Sequence, residues 1–471
     1  MDIILISMDT LRADRLGCYG LDKNTSPYID ELASDAVLFE KAYSHSPNTR
    51  VSHYSMLTSL HVLTHGVTKF HDKFNPSSKI KFLSEILKSN DFKTAGFVGG
   101  GLVTEVYGFS KGFDTWVENR SIKDSYVPTT DWLRNNKGNR FFLFFHFYDV
   151  HRPYLFREKY RELYNHPDYL LEHKQEIKKF VKASETKNFA RFFTDSQKGL
   201  VTVSGLAGAF ELDLSPTWID FLANDWEKIP EYKTQIGFVR DSYDAGVRWT
   251  DDYLGQFFMF LKNEGLWDNT LIIFTSDHGE ELMDNRCIGH GRLPSLYDTL
   301  LHIPLIIKPA AASGIKACRV SAQVESIDIM PTILDILNID FKGQMQGKSL
   351  LDLMKHPQGH FKDVVFAAIS GGKTMTMAKT GFQKYVQIDS NGITTDMFLE
   401  KPNDSVTNEI QIDNPVEAHK NLKNILMAHM KSCGELFLKK YSKGRLNVEK
   451  RSSKKKLDKL ENQLRALGYL Q

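Results

Sequence analysis

"TLIIFTSDHGEEL" (270–282) begins as an unbroken run of apolar and β-branched residues and ends in an acid and a histidine, Asp277 and His278. A short, solidly apolar run of this kind is typical of a strand buried on both faces, as in a parallel sheet covered by helices. In such sheets chemistry gathers beyond the carboxyl ends of the strands. The stretch therefore predicts both a doubly covered sheet and a functional site at its edge.

Similar apolar runs recur along the chain and alternate with segments of helical periodicity. The other predicted strands are 3–7, 94–100, 140–149 and 303–309. The predicted crossover helices, with apolar residues three and four positions apart, are 24–44, 78–91, 243–265 and 325–339. This alternation indicates an α/β fold in which helices cover both faces of the sheet, an αβα sandwich of three layers.

Three segments depart from this alternation. Residues 155–235 are first highly charged and then rich in glycine and aromatics, which suggests an insertion that caps the sheet edge or offers a partner surface. Residues 356–435 contain short strands between Gly, Asp and Asn turns and predict a small antiparallel sheet. The tail 436–471 predicts a basic helix, which we expect to pack through Leu457, Leu460, Leu464 and Leu467.

The composition is that of an ordinary globular protein and excludes several classes. The chain has 471 residues, 41% of them hydrophobic, and its 60 Lys and Arg nearly balance 58 Asp and Glu, so we expect no nucleic-acid partner. The four scattered cysteines have neither metal-ligand spacing nor a disulfide framework, which suits a reducing compartment. There is no signal-peptide pattern, and no apolar run approaches the ~20 residues of a transmembrane segment. We therefore expect a cytoplasmic protein.

Acids and histidines follow three of the predicted strands. They are Asp9 after 3–7, Asp277 and His278 at the end of 270–277, and His146, Asp149 and His151 at the end of 140–149. Because the carboxyl ends of parallel strands meet at one edge, residues far apart in sequence can converge there. Two carboxylates and an imidazole are enough to hold one divalent cation with a position left open, which a hydroxyl could fill.

Thr49 is the candidate for that hydroxyl. "SPN" (46–48) predicts a turn and "VSHYSMLTSL" (51–60) has helical spacing, so Thr49 lies at a helix start, where N–H groups and the helix dipole favour an anion. Taken alone, Thr49 is best interpreted as an N-cap residue, and "DHGE" (277–280) as a satisfied turn. The hypothesis of a site depends on all these segments occurring together, in order, at strand ends.

A wider set of motifs occurs in order along most of the chain. They are "DTLRADRLGCYG" (9–20), "SPYIDELASDAVLFEKAYS" (26–44), "SHYSMLTSLHVLTHGV" (52–67), "FFLFFHFYDVHRPY" (141–154), "YDAGVRWTDDYLGQFF" (243–258), "TLIIFTSDHGEEL" (270–282), "GHGRLPSLYDTLLHIPLIIK" (289–308), "DIMPTILDILNI" (328–339) and "LRALGYL" (464–470). Together they resemble the sulfatase family of the alkaline phosphatase superfamily. The resemblance implies that family's three-layer fold, with residues 1–355 as the catalytic domain.

The resemblance also implies roles for single residues. Thr49 falls where sulfatases carry the cysteine or serine that is oxidised to formylglycine. His151 matches a histidine that contacts the anionic oxygens of the substrate, and His290 matches a further site histidine. Arg12 and His53 match supporting positions or anion contacts. The implied metal ligands are Asp9, Thr49, Asp277 and His278.

The departures from the family pattern bear on the chemistry. Formylglycine formation needs Cys or Ser, then Pro two residues on and Arg four residues on, whereas this chain has Thr49, Val51 and His53. The extra methyl group of threonine rules out the aldehyde. The second acid of the family's paired "DD" is Thr10, which favours Mn²⁺ or Zn²⁺ as the single divalent cation, with Ca²⁺ as a further candidate.

A threonine nucleophile is used by superfamily relatives, the nucleotide pyrophosphatase/phosphodiesterases and the lipid-headgroup phosphotransferases. We therefore expect a metal-dependent hydrolase or transferase that cleaves a phosphate or phosphonate ester through a covalent intermediate on Thr49. Its partner would be an anionic ester, such as a glycan, a lipid headgroup or another phosphorylated or sulfated compound. Two alternatives stay open: a sulfatase that works without formylglycine, and a non-catalytic binding protein on the same fold.

Overall fold

The structure is a computed structural model, and its description covers most of the chain. The described residues are 1–69, 74–119, 121–152, 154–155, 157–168, 232–285, 288–290, 296–371, 373–401, 407, 409–441, 445–447 and 454–466. Most of the expected insertion at 155–235 lies outside them.

Two sheets and the helices around them make up the described fold. The strands are β1 (Asp2–Met8), β2 (Val37–Tyr43), β3 (Phe74–Ser77), β4 (Lys93–Val98), β5 (Thr115–Glu118), β6 (Phe141–Phe147), β7 (Thr270–Thr275), β8 (Glu281–Leu282), β9 (Ile288–Gly289), β10 (His302–Lys308), β11 (Cys318–Glu325), β12 (Val365–Ser370), β13 (Thr374–Thr380), β14 (Gln383–Ser390), β15 (Ile393–Glu400), β16 (Ile410–Gln411) and β17 (Arg445–Asn447). The α-helices are α1 (Pro27–Ser34), α2 (Thr49–Thr58), α3 (Val62–His65), α4 (Leu83–Lys88), α5 (Ile122–Asn136), α6 (Tyr232–Asn263), α7 (Asp298–Leu301), α8 (Ile329–Ile336), α9 (Leu351–Lys355), α10 (Glu417–Leu436) and α11 (Lys454–Ala466).

The large sheet has eight strands in the order β11-β2-β10-β7-β1-β6-β4-β5. Neighbouring strands are parallel except where β10 pairs with β7 and with β2. All residues of β1, β6 and β7 are buried, because a hydrophobic core lies on each face of the sheet. The three-layer αβα sandwich expected from the sequence is confirmed.

Two details of this sheet differ from the sequence-based expectation. The segment 303–309 was expected among parallel strands, but β10 runs antiparallel to both of its neighbours. The segment 24–44 was expected to be one helix, but only Pro27–Ser34 is helical and Val37–Tyr43 is strand β2. Pairing of β2 with β10 and β11 overrides the local helical periodicity, since β-propensity depends on tertiary neighbours.

The second sheet has the order β12-β13-β14-β15-β16 and is antiparallel throughout, as the sequence predicts. The helix α10, which the sequence analysis missed, packs on this sheet through Leu422 and Leu426 against Ala378 and Tyr385. In the tail, α11 buries Leu460 and Leu464 against the large domain's core, with Leu457 partly buried beside them. Leu467 lies outside the described residues.

In the described part of the chain, no helix combines the length and apolar character needed to cross a bilayer. Cys18, Cys318 and Cys433 are free thiols. The cytoplasmic location stays a prediction.

The helix α1 is capped from another helix. The side chain of its N-cap residue, Ser26, makes no capping hydrogen bond. Instead the carboxylate of Asp251 on α6 accepts the N–H groups of Tyr28, at 3.1 Å, and Ile29, at 2.8 Å. These are among the first backbone donors of the helix, which have no partner within it. Asp251 is fully buried, so one carboxyl joins two helices across the outer layer.

Asp251→Asn tests this junction through pH. Burial raises the pKa of Asp251 to about 7, and the two backbone hydrogen bonds oppose the rise. The folded protein therefore keeps a proton that the unfolded chain releases above about pH 4, and this contribution to stability is lost as pH rises towards 7, at roughly 1.4 kcal/mol per pH unit. We expect wild type to lose more free energy of unfolding than Asp251→Asn as the pH rises from about 4.5 to 7. Urea denaturation of both proteins across this range measures the difference. Asp35→Asn, at an exposed site, is the control, and a difference that does not change with pH contradicts the prediction.

Candidate active site

The candidate site lies at the carboxyl edge of the three central strands. β1 pairs in parallel with β7 and with β6, and Ser7 lies opposite both Thr275 and His146. Asp9 and Asp277 each follow two residues after the Ser7–Thr275 pair, so the register brings both acids to one level. The structure thus brings together Asp9, Asp277 and His278, whose ligand atoms lie within 4.8 Å of one another.

Thr49 is the first residue of α2, and it is not the helix cap. Asn48 takes that role, because its side chain accepts the N–H of Val51 at 3.2 Å. The Thr49 hydroxyl instead lies 3.2 Å from Nε2 of His278 and is completely buried. The N-cap interpretation of Thr49 is therefore wrong, and its hydroxyl is directed at the group of acids and histidine.

The carboxylates of Asp9 and Asp277 form a buried pair that lacks enough hydrogen-bond donors. Within the described chain, both oxygens of Asp9 and Oδ2 of Asp277 have no hydrogen-bond partner, while Oδ1 of Asp277 accepts the N–H groups of Thr10 and His278. Burial, and then the charge of Asp277, raise the pKa of Asp9 well above its usual range. Two neighbouring buried carboxyls cannot both ionise without a compensating cation.

The geometry of His278 suits a cation as well. Its Nδ1–H donates to the carbonyl of Gly279 at 2.8 Å, so Nε2 carries the lone pair, and Nε2 lies 3.4 Å from Oδ2 of Asp277. An outer hydrogen bond of this kind fixes the tautomer of a metal-ligating histidine. Unsatisfied carboxylate oxygens, an imidazole lone pair and a hydroxyl are a donor set that fits a divalent cation.

The backbone around the acids is held in a strained conformation. Thr10 has a φ of 59°, which is rare for a β-branched residue, and its N–H reaches Oδ1 of Asp277 at 3.2 Å. Ser52 on α2 donates to the carbonyl of Asp277 at 2.6 Å, and Ser44 donates to the same carbonyl at 2.5 Å. The helix that carries Thr49 is therefore fastened to the loop that carries Asp277.

Two further histidines support the acids. The Nδ1 of His146 accepts the N–H of Gly99 at 3.3 Å, so Nε2 carries the proton, and it lies 3.6 Å from Oδ2 of Asp9. His53 lies between the Thr49 carbonyl, 2.8 Å from Nδ1, and the Ser7 hydroxyl, 2.9 Å from Nε2. These contacts place His53 behind the acids in a supporting position.

His151 and His290 stand next to His278 as a row of imidazoles. The ring centroids of His278 and His290 are 4.3 Å apart, and those of His290 and His151 are 4.9 Å apart. Nδ1 of His290 lies 2.8 Å from Oε1 of Glu280, and this contact orients the ring. Burial, and then the charge of His290, hold the pKa of His151 well below its usual range.

Arg12 is held mainly by carboxylates. Its guanidinium donates to both carboxylate oxygens of Asp14, to Asp284 and to the carbonyl of Glu280. These partners neutralise its charge and brace the loop after β7. Of the two roles expected for Arg12, we retain only the supporting one.

Sequence reasoning missed Glu280 and Asn48, and it gave His146 no role. Glu280 lies in the quoted "DHGE" motif, but a single acid in a loop gives no signal of the histidine it will meet. Asn48 could have been recognised as a cap, since Asn is strongly preferred there. The substitution of Leu293, where the family often has lysine, falls outside the described residues.

Comparisons with known proteins identify the family and the fold. A model of the sulfatase family matches residues 1–339. An arylsulfatase of Clostridium perfringens (strain 13 / Type A) is 23% identical over 474 residues, which span 91% of this chain and 94% of the relative. BT4656, solved in complex with its substrate D-glucosamine-2-N,6-O-disulfate, superposes with a TM-score of 0.69 at 17% identity and covers 93% of this chain and 98% of that one. The phosphonate monoester hydrolase of Agrobacterium radiobacter superposes with a TM-score of 0.65 at 17% identity. This match covers 95% of this chain and 99% of that one.

The chain belongs to the sulfatase family of the alkaline phosphatase superfamily. It is therefore an ester hydrolase, and the alternative of a non-catalytic binding protein is not retained. Members of the family generally depend on a divalent metal, and Asp9, Asp277 and His278 could hold one here.

Gly279→Ala tests the conformation of the metal loop. A Cβ atom at Gly279 would lie 2.0 Å from the carbonyl oxygen of Thr299, which is backbone and cannot move alone. We expect the variant to lose about 1–3 kcal/mol of stability in urea denaturation and most of its bound metal, because residues 277–280 must shift.

Gly237→Ala is the matched control, because a Cβ atom there meets nothing within 4 Å and the residue lies in α6. It should stay within about 1 kcal/mol of wild type. Wild-type stability and metal content in Gly279→Ala would refute the described loop conformation.

Proposed function

We propose that this protein is a metal-dependent phosphate or phosphonate ester hydrolase that uses Thr49 as its covalent nucleophile. The observation that carries the proposal is the position of the Thr49 hydroxyl, 3.2 Å from Nε2 of His278 and next to the unsatisfied carboxylates of Asp9 and Asp277. Asn48 caps the helix, so the Thr49 side chain has no structural use in capping.

In this proposal Asp9, Asp277, His278 and Thr49 hold one divalent cation, with Mn²⁺ or Zn²⁺ favoured by the mixed oxygen and nitrogen donors. When bound, such a cation lowers the pKa of a hydroxyl and withdraws charge from the reacting ester. Burial holds the pKa of Asp9 high, so its carboxyl group must lose a proton before it can bind the cation. We expect cation binding to release this proton.

The covalent step forms a bond from the Thr49 oxygen to phosphorus and breaks the bond from phosphorus to the leaving alcohol. The hydroxyl proton of Thr49 would pass to water before or during attack, the leaving oxygen would take a proton from an imidazole, and a phosphothreonine would result. Water then attacks the same phosphorus atom and releases Thr49. If an alcohol takes the place of water, the enzyme is a phosphotransferase, and a diester substrate would make it a phosphodiesterase.

In this proposal His290 would supply the proton for the leaving oxygen. Its Nδ1–H donates to Glu280, and that carboxylate stabilises the imidazolium from which Nε2 can donate. The neighbouring His151 would bind the anionic oxygens of the ester. Its Nδ1 lies 2.5 Å from the carbonyl of Arg152, so anion binding at Nε2 needs a second proton on this ring. The incoming anion would itself favour that proton.

Threonine favours phosphorus over sulfur in this mechanism. A formylglycine hydrate can expel sulfate by breaking a C–O bond, whereas a sulfothreonine must be hydrolysed at sulfur, which is slow. The fold neighbour that acts on phosphonate monoesters supports the phosphorus assignment. The arylsulfatase relative and the disulfated glucosamine bound by BT4656 favour the second candidate, a sulfate ester such as a sulfated glycan.

Thr49→Ala is expected to lower kcat/KM by at least about 10³-fold, because it removes the nucleophile. Metal binding at this site should survive in weakened form, since three ligands remain, whereas Asp277→Asn should lose both activity and the metal of this site. The measurement is metal content followed by hydrolysis of matched aryl phosphate, phosphodiester, phosphonate and sulfate esters with the metal restored. Wild type should also accumulate a phosphorylated Thr49 peptide, detected by mass spectrometry after rapid quenching.

Thr58→Ala is the matched control, because Thr58 lies in the same helix and its hydroxyl only bonds the Tyr54 carbonyl. Thr58→Ala should hydrolyse the esters with the kcat/KM of wild type. Normal turnover by Thr49→Ala would exclude the mechanism, and efficient cleavage of the sulfate ester alone would transfer the proposal to the second candidate.

Glu280→Gln tests the proposed acid. Loss of the carboxylate charge lowers the basicity of His290, so the descending limb of the kcat–pH profile should move to lower pH while KM changes little. Esters with poor alkyl leaving groups should lose more activity than esters of acidic phenols, since the latter need less protonation. Equal losses for all leaving groups would show that Glu280 is only structural.

A further inference from the structure

A second buried group of metal-ligand type lies at the same sheet edge, outside the candidate active site. His45 follows β2, His61 precedes α3, and Glu325 ends β11. Their ligand atoms lie within 4.8 Å of one another, and all three residues are buried. Neither the family resemblance nor the proposed reaction uses any of them.

The hydrogen bonds of His45 leave a lone pair directed at a carboxylate. Its Nδ1 lies 2.8 Å from the carbonyl oxygen of Phe366 and therefore carries the proton. Its Nε2 then has a lone pair, lies 3.8 Å from Oε1 of Glu325, and has no hydrogen-bond partner among the described residues. Two electron-rich atoms that face each other in a buried site repel unless a cation lies between them.

His61 completes the group from the other side. Its Nδ1 is 3.3 Å from Nδ1 of His45, and the two rings meet edge to face with centroids 4.8 Å apart. Ligands about 2.0–2.1 Å from one zinc ion lie roughly 3–4 Å from each other. The His45 ligand atom is Nε2 and not the Nδ1 that faces His61, so the relevant limit is that one ligand atom of each side chain lies within 4.8 Å of the others. The side chains would have to move closer together to share one ion.

The surrounding charges leave room for a cation. Lys362 donates to Glu325 and to Asp328, each at 2.6 Å, so one ammonium group faces two carboxylates. Glu325 and Asp328 thus have this one lysine ammonium between them. Further titratable groups here are His429 on α10, whose ring lies 4.4 Å from that of His61, Cys433, whose Sγ lies 3.5 Å from Nε2 of His429, and His65.

We propose that His45, His61 and Glu325 form a second metal site, which takes a transition-metal dication of the Zn²⁺ class. Two imidazoles and a carboxylate are typical zinc ligands, and three protein ligands leave a fourth position for water. Phe366 of β12 bonds His45 through its carbonyl and Glu325 through its N–H, and its ring stacks on His429 at 3.7 Å. The site therefore lies where the large sheet meets the second sheet and α10.

Metal stoichiometry tests the site. Purified protein is stripped with a chelator, titrated with Zn²⁺ or Co²⁺, freed of excess metal and analysed for bound equivalents. Wild type should bind two equivalents of metal, and Asp277→Asn and His61→Gln should each bind one. The double variant, which combines Asp277→Asn with His61→Gln, should bind none. His61→Gln should keep its ester hydrolysis, because His61 is not part of the proposed reaction. The exposed His360→Gln is the matched control and should bind two.

Thermal unfolding gives a second readout. Zn²⁺ should raise the Tm of Asp277→Asn but not that of the double variant, since only a folded site binds the ion. If His61→Gln fails to fold, the Co²⁺ absorption spectrum of Asp277→Asn still reports whether a nitrogen- and oxygen-ligated site remains.

The outcomes separate this site from the proposed reaction. Wild type that binds one equivalent, with none in Asp277→Asn, would overturn the second site and show that a proton on His45 balances Glu325. One equivalent in wild type that persists in Asp277→Asn but vanishes in His61→Gln would support the second site and refute the metal of the proposed reaction.

Discussion

Two carboxylates meet in the interior of this protein, and much of the surrounding structure compensates for them. Asp9 and Asp277 follow adjacent parallel strands whose register brings them to one level, and both are completely buried. Placing two such groups together is costly unless one keeps a proton or a cation is bound. Three groups surround this pair: the N–H of Thr10, whose backbone is strained, the imidazole of His278, and the hydroxyl of Thr49. The site is therefore built to bind positive charge.

The parallel register also explains why a second cluster of ligands lies at the same edge. β2 and β11 are parallel, so His45 and Glu325 emerge together beyond their ends, as Asp9 and Asp277 do beyond β1 and β7. The two places differ in what covers them. The first faces α2 and the row of histidines, and the second lies under β12 and α10. One geometric rule thus yields a proposed reactive site and a proposed structural site.

Much of the fold could be predicted, because buried parallel strands leave a strong mark in sequence. The five predicted strands correspond to β1, β4, β6, β7 and β10. The prediction was wrong for 24–44, where pairing with distant strands decided between helix and strand. In the site, strand ends pointed to Asp9, Asp277 and His278, while the Glu280–His290 contact could not be foreseen. Such contacts depend on how loops cross, which local periodicity does not encode.

The amino-acid pattern alone was enough to predict the layered α/β architecture and the acids at the strand ends. Only the tertiary structure decided that Asn48 caps α2, that the Thr49 hydroxyl lies against His278, and that Arg12 is bound by carboxylates. The physical reason is that composition and spacing fix which residues are buried and where elements end. Which side chain satisfies which buried partner is settled only when distant strands and loops are packed together.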